Sequence, residues 1–457
     1  MIWLLAWAAF TRLPLILSGI IPFSFDHGRD SLAVLHLIKT LNPVFLGPWT
    51  SIPGLFFGPG WYYLLAPAYW LTQGSPLAGP LTMFSLSLIG IILAYKYLGV
   101  YEAIILATAP LWLQLATGAA NPFPMTLVGL LLVIALKKGW NSLWLGLILG
   151  LGFHFSSALA ILWLLVIPWL VKPKHWLKLL AGLFITFIPQ LLFELKHNFS
   201  QTQAVISYFT AGESQSITPG KIAIVTQSII HELNLAILPD VPWLAGLGVL
   251  IIAAGMRLWP KIGALIVIPL IGFWWLHYNP WYAYGLAPLA VVLVGKVLRA
   301  LPRPIAWIYC LLLLIGSAFR KNPDLLTYKA FLPAKLTAIN YIYNQSGGQP
   351  FASYHYLPEI YDYAYQYLYI WQAFRGRPLP VEFSYQPNAP AYINEKADLL
   401  SRLPSPAGAA QMIFLIIEKP DNVWHYPFES WLKQINFSEV VDKKIIGPEL
   451  EVWQVTP

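Results

Sequence analysis

Phe25-Asp26-His27-Gly28-Arg29-Asp30 places two carboxylates and a guanidinium within six residues, directly after an apolar run at 2–21 that is long enough to cross a bilayer. Beyond it, Pro43, Gly47-Pro48, Ile52-Pro53-Gly54 and Gly58-Pro59-Gly60 break any long helix up to about Gly74. Charge is scarce in the apolar part of this chain. A cluster at the end of a membrane span is therefore a candidate active site.

The rest of the composition agrees with a membrane setting. Of 457 residues 58% are hydrophobic and 11% charged, with 21 Trp, and the mean hydropathy is +0.61. Too little polar surface remains to cover a soluble globule of this length. Residues 1–318 hold 16 Lys/Arg and 7 Asp/Glu, against 12 and 13 in 319–457. The whole positive excess thus lies in the apolar part, which reads as membrane orientation and not as nucleic-acid binding. Cys310 is the single cysteine, which allows no internal disulfide. The first 21 residues lack the basic start and small-residue cleavage site of a secretory leader, so they read as a retained span.

Eleven apolar runs are candidate crossings: 2–21, 77–97, 101–118, 122–136, 140–153, 155–171, 176–193, 241–257, 261–277, 281–298 and 304–318. Residues 140–171 are divided at His154, because one helix of that length would need steep tilt. Lys96, Lys137, Lys138, Lys172, Lys174, Lys178, Arg257, Lys261, Lys296, Arg299 and Arg303 then share one face, which makes the N-terminus cytoplasmic. The expected architecture is an all-α polytopic body over 1–318 with about eleven transmembrane helices and a first external loop at 22–76. A small α/β extracytoplasmic domain over 319–457 follows. In it Pro333–Gln345 and Pro358–Phe374 have helical spacing, and Phe351–Tyr354, Met412–Ile417 and Leu450–Val455 read as strands. The expected setting is a plasma (inner) membrane, and no inverted repeat of the secondary-transporter kind is present.

Asp26 suits a general base toward an acceptor hydroxyl or amine. Arg29, three residues on, lies one helical turn away and can hold a phosphate oxygen, while Asp30 shares that face. The same spacing also suits Asp26 as the cap of a helix starting near His27, with Arg29 as its ion-pair partner. Walker, HExxH and Ser/His/Asp signatures are absent from the sequence.

Arg12-Leu13-Pro14, the loop Asp26 with Arg29 after it, and Gly58-Pro59-Gly60-Trp61-Tyr62-Tyr63 leading to Gly74 together resemble the N-terminal third of GT-C glycosyltransferases of the protein O-mannosyltransferase and aminoarabinose-transferase type. The resemblance implies a GT-C-like body, a polyprenyl-phosphate-linked sugar donor and Asp26 as catalytic base. It departs from the family at three places: Asp26-His27 stands for Asp-Glu, Gly58-Pro59-Gly60 for Lys-Pro-Pro, and Asn121 for an acidic residue in the second external loop. Asp30 is accordingly the candidate second carboxylate.

A departing lipid phosphate needs fixed positive charge. Lys39, His154, Lys196 and His197 lie on the expected external side, with Glu194 close enough in sequence to neutralise Lys196. His277 and Tyr282, in a turn resembling one that borders the donor cavity of GT-C enzymes, are further candidates. Together with His27, Arg29 and Asn121 they complete the expected substrate-binding set. Tyrosines such as Tyr361, Tyr363, Tyr365, Tyr367 and Tyr369 offer faces for stacking on a sugar, but such a run is more often core and interface of a small domain. No cofactor is expected, and a divalent metal is not indicated. The expected function is glycosyl transfer on the extracytoplasmic face to a protein, lipid or glycan acceptor; the alternatives are a flippase or transporter of lipid-linked intermediates and a non-catalytic membrane binding protein.

Overall fold

The computed structural model describes residues 1–210, 217–319, 331–357, 361–389, 394–406, 408–418, 427–447 and 449–457. Contacts divide them into two compact units. The first comprises Met1–Pro14, Val44–Leu64 and the described residues from Pro80 through helix Arg303–Ala318; the second comprises Leu15–Pro43, Leu65–Gly79 and the described residues from Phe331 on.

Every apolar run of the first unit forms helix, but among the described residues only Ala78–Tyr97, Pro173–Lys196 and Pro280–Ala300 are long and apolar enough to cross a membrane. A fourth qualifies if Val100–Thr108 and Pro110–Thr117, bent by 58°, count as one span. Helix length therefore falls short of the expected eleven crossings. Residues 140–171 form two helices, Ser142–Phe155 and Ser157–Leu170, parted at Ser156.

Two charged groups in this unit have structural explanations. Pro110 has no N–H to donate and holds Ala109 extended (ψ 149°), so the carbonyls before the bend lose their helical partners. Arg12, fully buried, takes them: Nη1 donates to the Ala107 carbonyl at 3.0 Å and Nη2 to that of Leu106 at 3.1 Å. The one basic residue of the first helix thus serves a broken helix end, where cations are also favoured by the helix dipole. Glu102, also fully buried, is gripped at both oxygens by Arg299, at 2.9 and 2.5 Å.

The second unit carries a five-stranded sheet ordered β2-β1-β3-β5-β4. Its strands are β1 Phe351–Tyr356, β2 Glu382–Ser384, β3 Met412–Glu418, β4 Val440–Gly447 and β5 Leu450–Val455. β2, β1 and β3 run parallel, whereas β5 and β4 add antiparallel. β1 is buried along its whole length, as a central parallel strand requires.

Helix Tyr363–Phe374 is buried on all sides but its last turn, so of the two roles its tyrosines serve as core and not as faces for a sugar. Three of the hydroxyls are tied inside the unit. Tyr365 donates to Glu418 Oε1 at 2.6 Å, Tyr369 to Ser353 Oγ at 2.9 Å, and Tyr367 to the Gly74 carbonyl. The first three residues of the expected helix Pro358–Phe374 lie outside the described residues.

Helix Phe25–Thr40 packs against this tyrosine helix, and Gly28 is the point of closest approach. A Cβ there would overlap the backbone of Tyr363 and Ala364. Gly28→Ala should therefore lower stability by about 1–3 kcal/mol through overpacking, read as a fall in Tm of the purified protein. An unchanged Tm would show that the two helices can part without cost.

Candidate active site

The helix that carries the cluster starts at Phe25, two residues earlier than the capping alternative requires, and Ser24 is its cap. His27 closes the first turn: its Nδ1 accepts from the Ser24 backbone N–H at 3.1 Å and lies 2.9 Å from Ser24 Oγ. Burial, with help from nearby Arg29 and Lys335, lowers its pKa to about 4 against the pull of Asp26. The neutral ring is thus the capping form, because a proton on Nδ1 would face an N–H. Since the folded pKa lies below the ordinary 6.5, this contribution to stability is complete above pH 6.5 and disappears as pH falls toward 4. Tm should drop over that window in the wild type and more gently in His27→Gln; parallel profiles would contradict the assignment.

Asp26 sits in the first helical turn with its side chain 50% exposed. Arg29 Nη1 reaches its Oδ1 at 2.7 Å, while Arg29 Nε and Nη2 both donate to Asp30 Oδ1, at 2.9 and 2.8 Å. Arg29 and Asp30 are largely buried, at 11% and 7% side-chain exposure. The guanidinium expected to face a phosphate therefore holds two carboxylates. Beside Asp30, the Ser31 hydroxyl meets that of Tyr69 at 2.6 Å. The cluster presents one half-exposed carboxylate, that of Asp26, held through Oδ1 by Arg29.

Behind it lies a buried polar network that the sequence did not announce. Lys335 and Glu418 form an ion pair under the Tyr365 ring, 4.7 Å from Lys335 Nζ. His355 Nδ1 lies 2.6 Å from Asp362 Oδ2, and His355 Nε2 lies 3.1 Å from Ser353 Oγ. This has the geometry of a Ser-His-Asp triad. All three residues are at most 1% exposed, however, so the arrangement is a core network and not a hydrolase site.

Of the remaining candidates, all but Lys39 belong to the first unit. Asn121 Nδ2 donates to the Phe155 carbonyl at 3.1 Å and so ties down the end of helix Ser142–Phe155. His197 stacks on Phe193 with ring centroids 3.9 Å apart, and its Nδ1 lies 2.9 Å from the Phe193 carbonyl. Lys196 is exposed and has no ion-pair partner among the described residues. Glu194 is turned away from it: the carboxylate accepts from the N–H groups of Gln201 and Thr202 at 3.0 Å each and from Thr202 Oγ1 at 2.6 Å. It thus caps helix Ser200–Thr210 instead of neutralising Lys196.

His154 is likewise not a spare cation. Its Nδ1 accepts from the Gly60 N–H and its Nε2 meets the Thr186 carbonyl, both at 3.0 Å. A Cβ on Gly58 would overlap the His154 ring, and one on Gly60 would press on it. That close approach is a physical reason for Gly58-Pro59-Gly60 where Lys-Pro-Pro was the pattern.

His277 is exposed, with Nε2 3.2 Å from Asn279 Nδ2. Tyr282 stacks on Phe273 beside Tyr278, whose hydroxyl lies 3.0 Å from that of Ser228. Glu232, one turn beyond Ser228, was not foreseen. Burial lifts its pKa to about 7, and it has no hydrogen-bond or ion-pair partner among the described residues. Among the described residues, no three His, Cys, Asp or Glu converge as a metal site.

No protein-family model and no curated protein sequence matches the chain. Solved structures do. The crystal structure of ArnT from Cupriavidus metallidurans bound to undecaprenyl phosphate is similar with a TM-score of 0.61 at 12% identity, over 99% of this chain and 98% of that one. The apo form of the same ArnT gives 0.59 at 13% identity, over 99% and 97%. The fold is that of ArnT. At so low an identity the likeness to ArnT is one of backbone, while the side chains that fill it here are this chain's own. The ArnT match spans both units, the sheet-bearing one included.

Proposed function

We propose that the chain is a membrane glycosyltransferase that moves a sugar from a polyprenyl-phosphate donor to an acceptor on the extracytoplasmic face. The observation that carries this reading is a half-exposed carboxylate, Asp26, fixed by a buried Arg29–Asp30 pair within an ArnT fold. ArnT is an aminoarabinose transferase of the GT-C class, and its structure with undecaprenyl phosphate supports a lipid-linked donor.

In the proposed reaction Asp26 takes the proton of an acceptor hydroxyl or amine as that atom attacks the anomeric carbon. The bond from that carbon to the phosphate oxygen breaks, and the lipid phosphate leaves with the electron pair and its charge. Inversion at the anomeric carbon follows from a single displacement. Arg29 acts by holding Asp26 in place, since its nitrogens are engaged by the two carboxylates. Asp30 is the partner that anchors Arg29. For the phosphate charge, exposed Lys196 is the better candidate than His197, whose ring is stacked on Phe193. His277 and Tyr282 are proposed as substrate contacts in the turn that follows helix Pro260–Trp275.

The test is incubation of the purified protein in lipid with a panel of labelled polyprenyl-phosphate sugars. Release of the polyprenyl phosphate coupled to label transfer is the expected result. Binding of a donor with no turnover across the panel and a range of acceptors would count against an enzyme.

A further inference from the structure

The second unit contains a hollow of about 400 Å³ lined by Ile38, Lys39, Trp70, Leu71 and Gln73, at the C-terminal ends of helices Phe25–Thr40 and Gly60–Leu71. Its rim is apolar and uncovered: Leu41, Trp70 and Leu71 are 81%, 69% and 73% exposed. Its charge is positive. Lys39 Nζ stands 4.6 Å from the Phe374 ring centre and the Arg375 guanidinium 4.9 Å from that of Trp371, and neither has a carboxylate partner among the described residues. Arg402 adds a third cation by donating to the Lys39 carbonyl at 3.1 Å. The nearby acid, Asp398, is occupied by His36 at 3.0 Å.

We infer that this hollow binds the headgroup of an anionic phospholipid of the surrounding bilayer. One molecule then meets two needs: phosphate oxygens for Lys39 and Arg375, and acyl chain for the exposed Leu41, Trp70 and Leu71 rim. A free phosphate leaves the rim bare, and a neutral hydrocarbon leaves the cations unmatched. The site would tie the helix that carries Asp26, at its far end from Asp26, to a lipid surface, and it does not depend on the transferase reading.

Native mass spectrometry of the full chain, exchanged into mixed micelles of phosphatidylglycerol and phosphatidylcholine, reads the site directly. Phosphatidylglycerol should be retained preferentially, and retention should fall about fivefold for each of Lys39→Ala and Arg375→Ala, the effect of one basic residue on anionic-lipid binding. Lys39→Arg should retain it, and so should Asp26→Asn, which separates this site from the catalytic cluster. Equal retention by wild type and the Lys39→Ala/Arg375→Ala double variant would overturn the inference. So would displacement of phosphatidylglycerol by undecaprenyl phosphate, or a Lys39-dependent rise in Tm with inorganic phosphate alone.

Discussion

Asp26→Asn should lower sugar transfer on the order of 10³-fold while leaving Tm within a degree or two of wild type, roughly what removal of a general base from an intact site costs. Stability should be nearly unaffected because Asp26 is half exposed, and exposed ion pairs contribute at most about 1 kcal/mol. Donor binding should persist, so the loss should appear in kcat and not in KM. Arg29→Lys provides the contrast. A lysine cannot bridge Asp26 and Asp30 with the geometry of a guanidinium, so activity should fall through misplacement of Asp26, with some loss of stability as well. Full activity in Asp26→Asn would remove this carboxylate from the mechanism.

Glu418→Ala should be among the most destabilising single changes in the second unit, at about 3–5 kcal/mol, because it leaves a buried ammonium without its partner. Lys335 and Glu418 are 1% and 2% exposed, and Glu418 also receives the Tyr365 hydroxyl. The double variant Lys335→Met/Glu418→Leu should recover most of the loss, since apolar residues of similar volume need no partner. Denaturant titration of the four proteins measures the coupling. Additive losses in the double variant would show that the two groups do not act as a pair.

Much of this architecture was legible because long apolar runs can do little but form helices, and the break near His154 was legible because one helix there would have been too long. β1, β3 and β5 were readable as short apolar stretches. β2 was not, having three residues, nor was β4, a largely exposed edge strand whose Asp442-Lys443-Lys444 masks it. The Asp26–Arg29 pair followed from helical spacing, but the bond from Arg29 to its immediate neighbour Asp30 depends on a side-chain fold-back that spacing does not encode.

What escaped the sequence has a common cause in distance along the chain. Gly58 and Gly60 are small because His154 lies against them, and the tyrosines of helix Tyr363–Phe374 are buried because Glu418, Ser353 and Gly74 supply acceptors from elsewhere. Glu194 looked like a counter-ion to Lys196 until Ser200–Thr210 proved to be a helix in need of a cap. Each is a case of a polar or small residue whose partner cannot be found by local pattern.

The most direct measurement of the central claim is the position of a non-transferable polyprenyl-phosphate sugar analogue in a structure of its complex with the full chain in lipid. The sugar's anomeric centre should face the Asp26 carboxylate, with room for one acceptor atom between them. An analogue seated with its sugar out of reach of Asp26, or one that binds only through its prenyl tail, would contradict it.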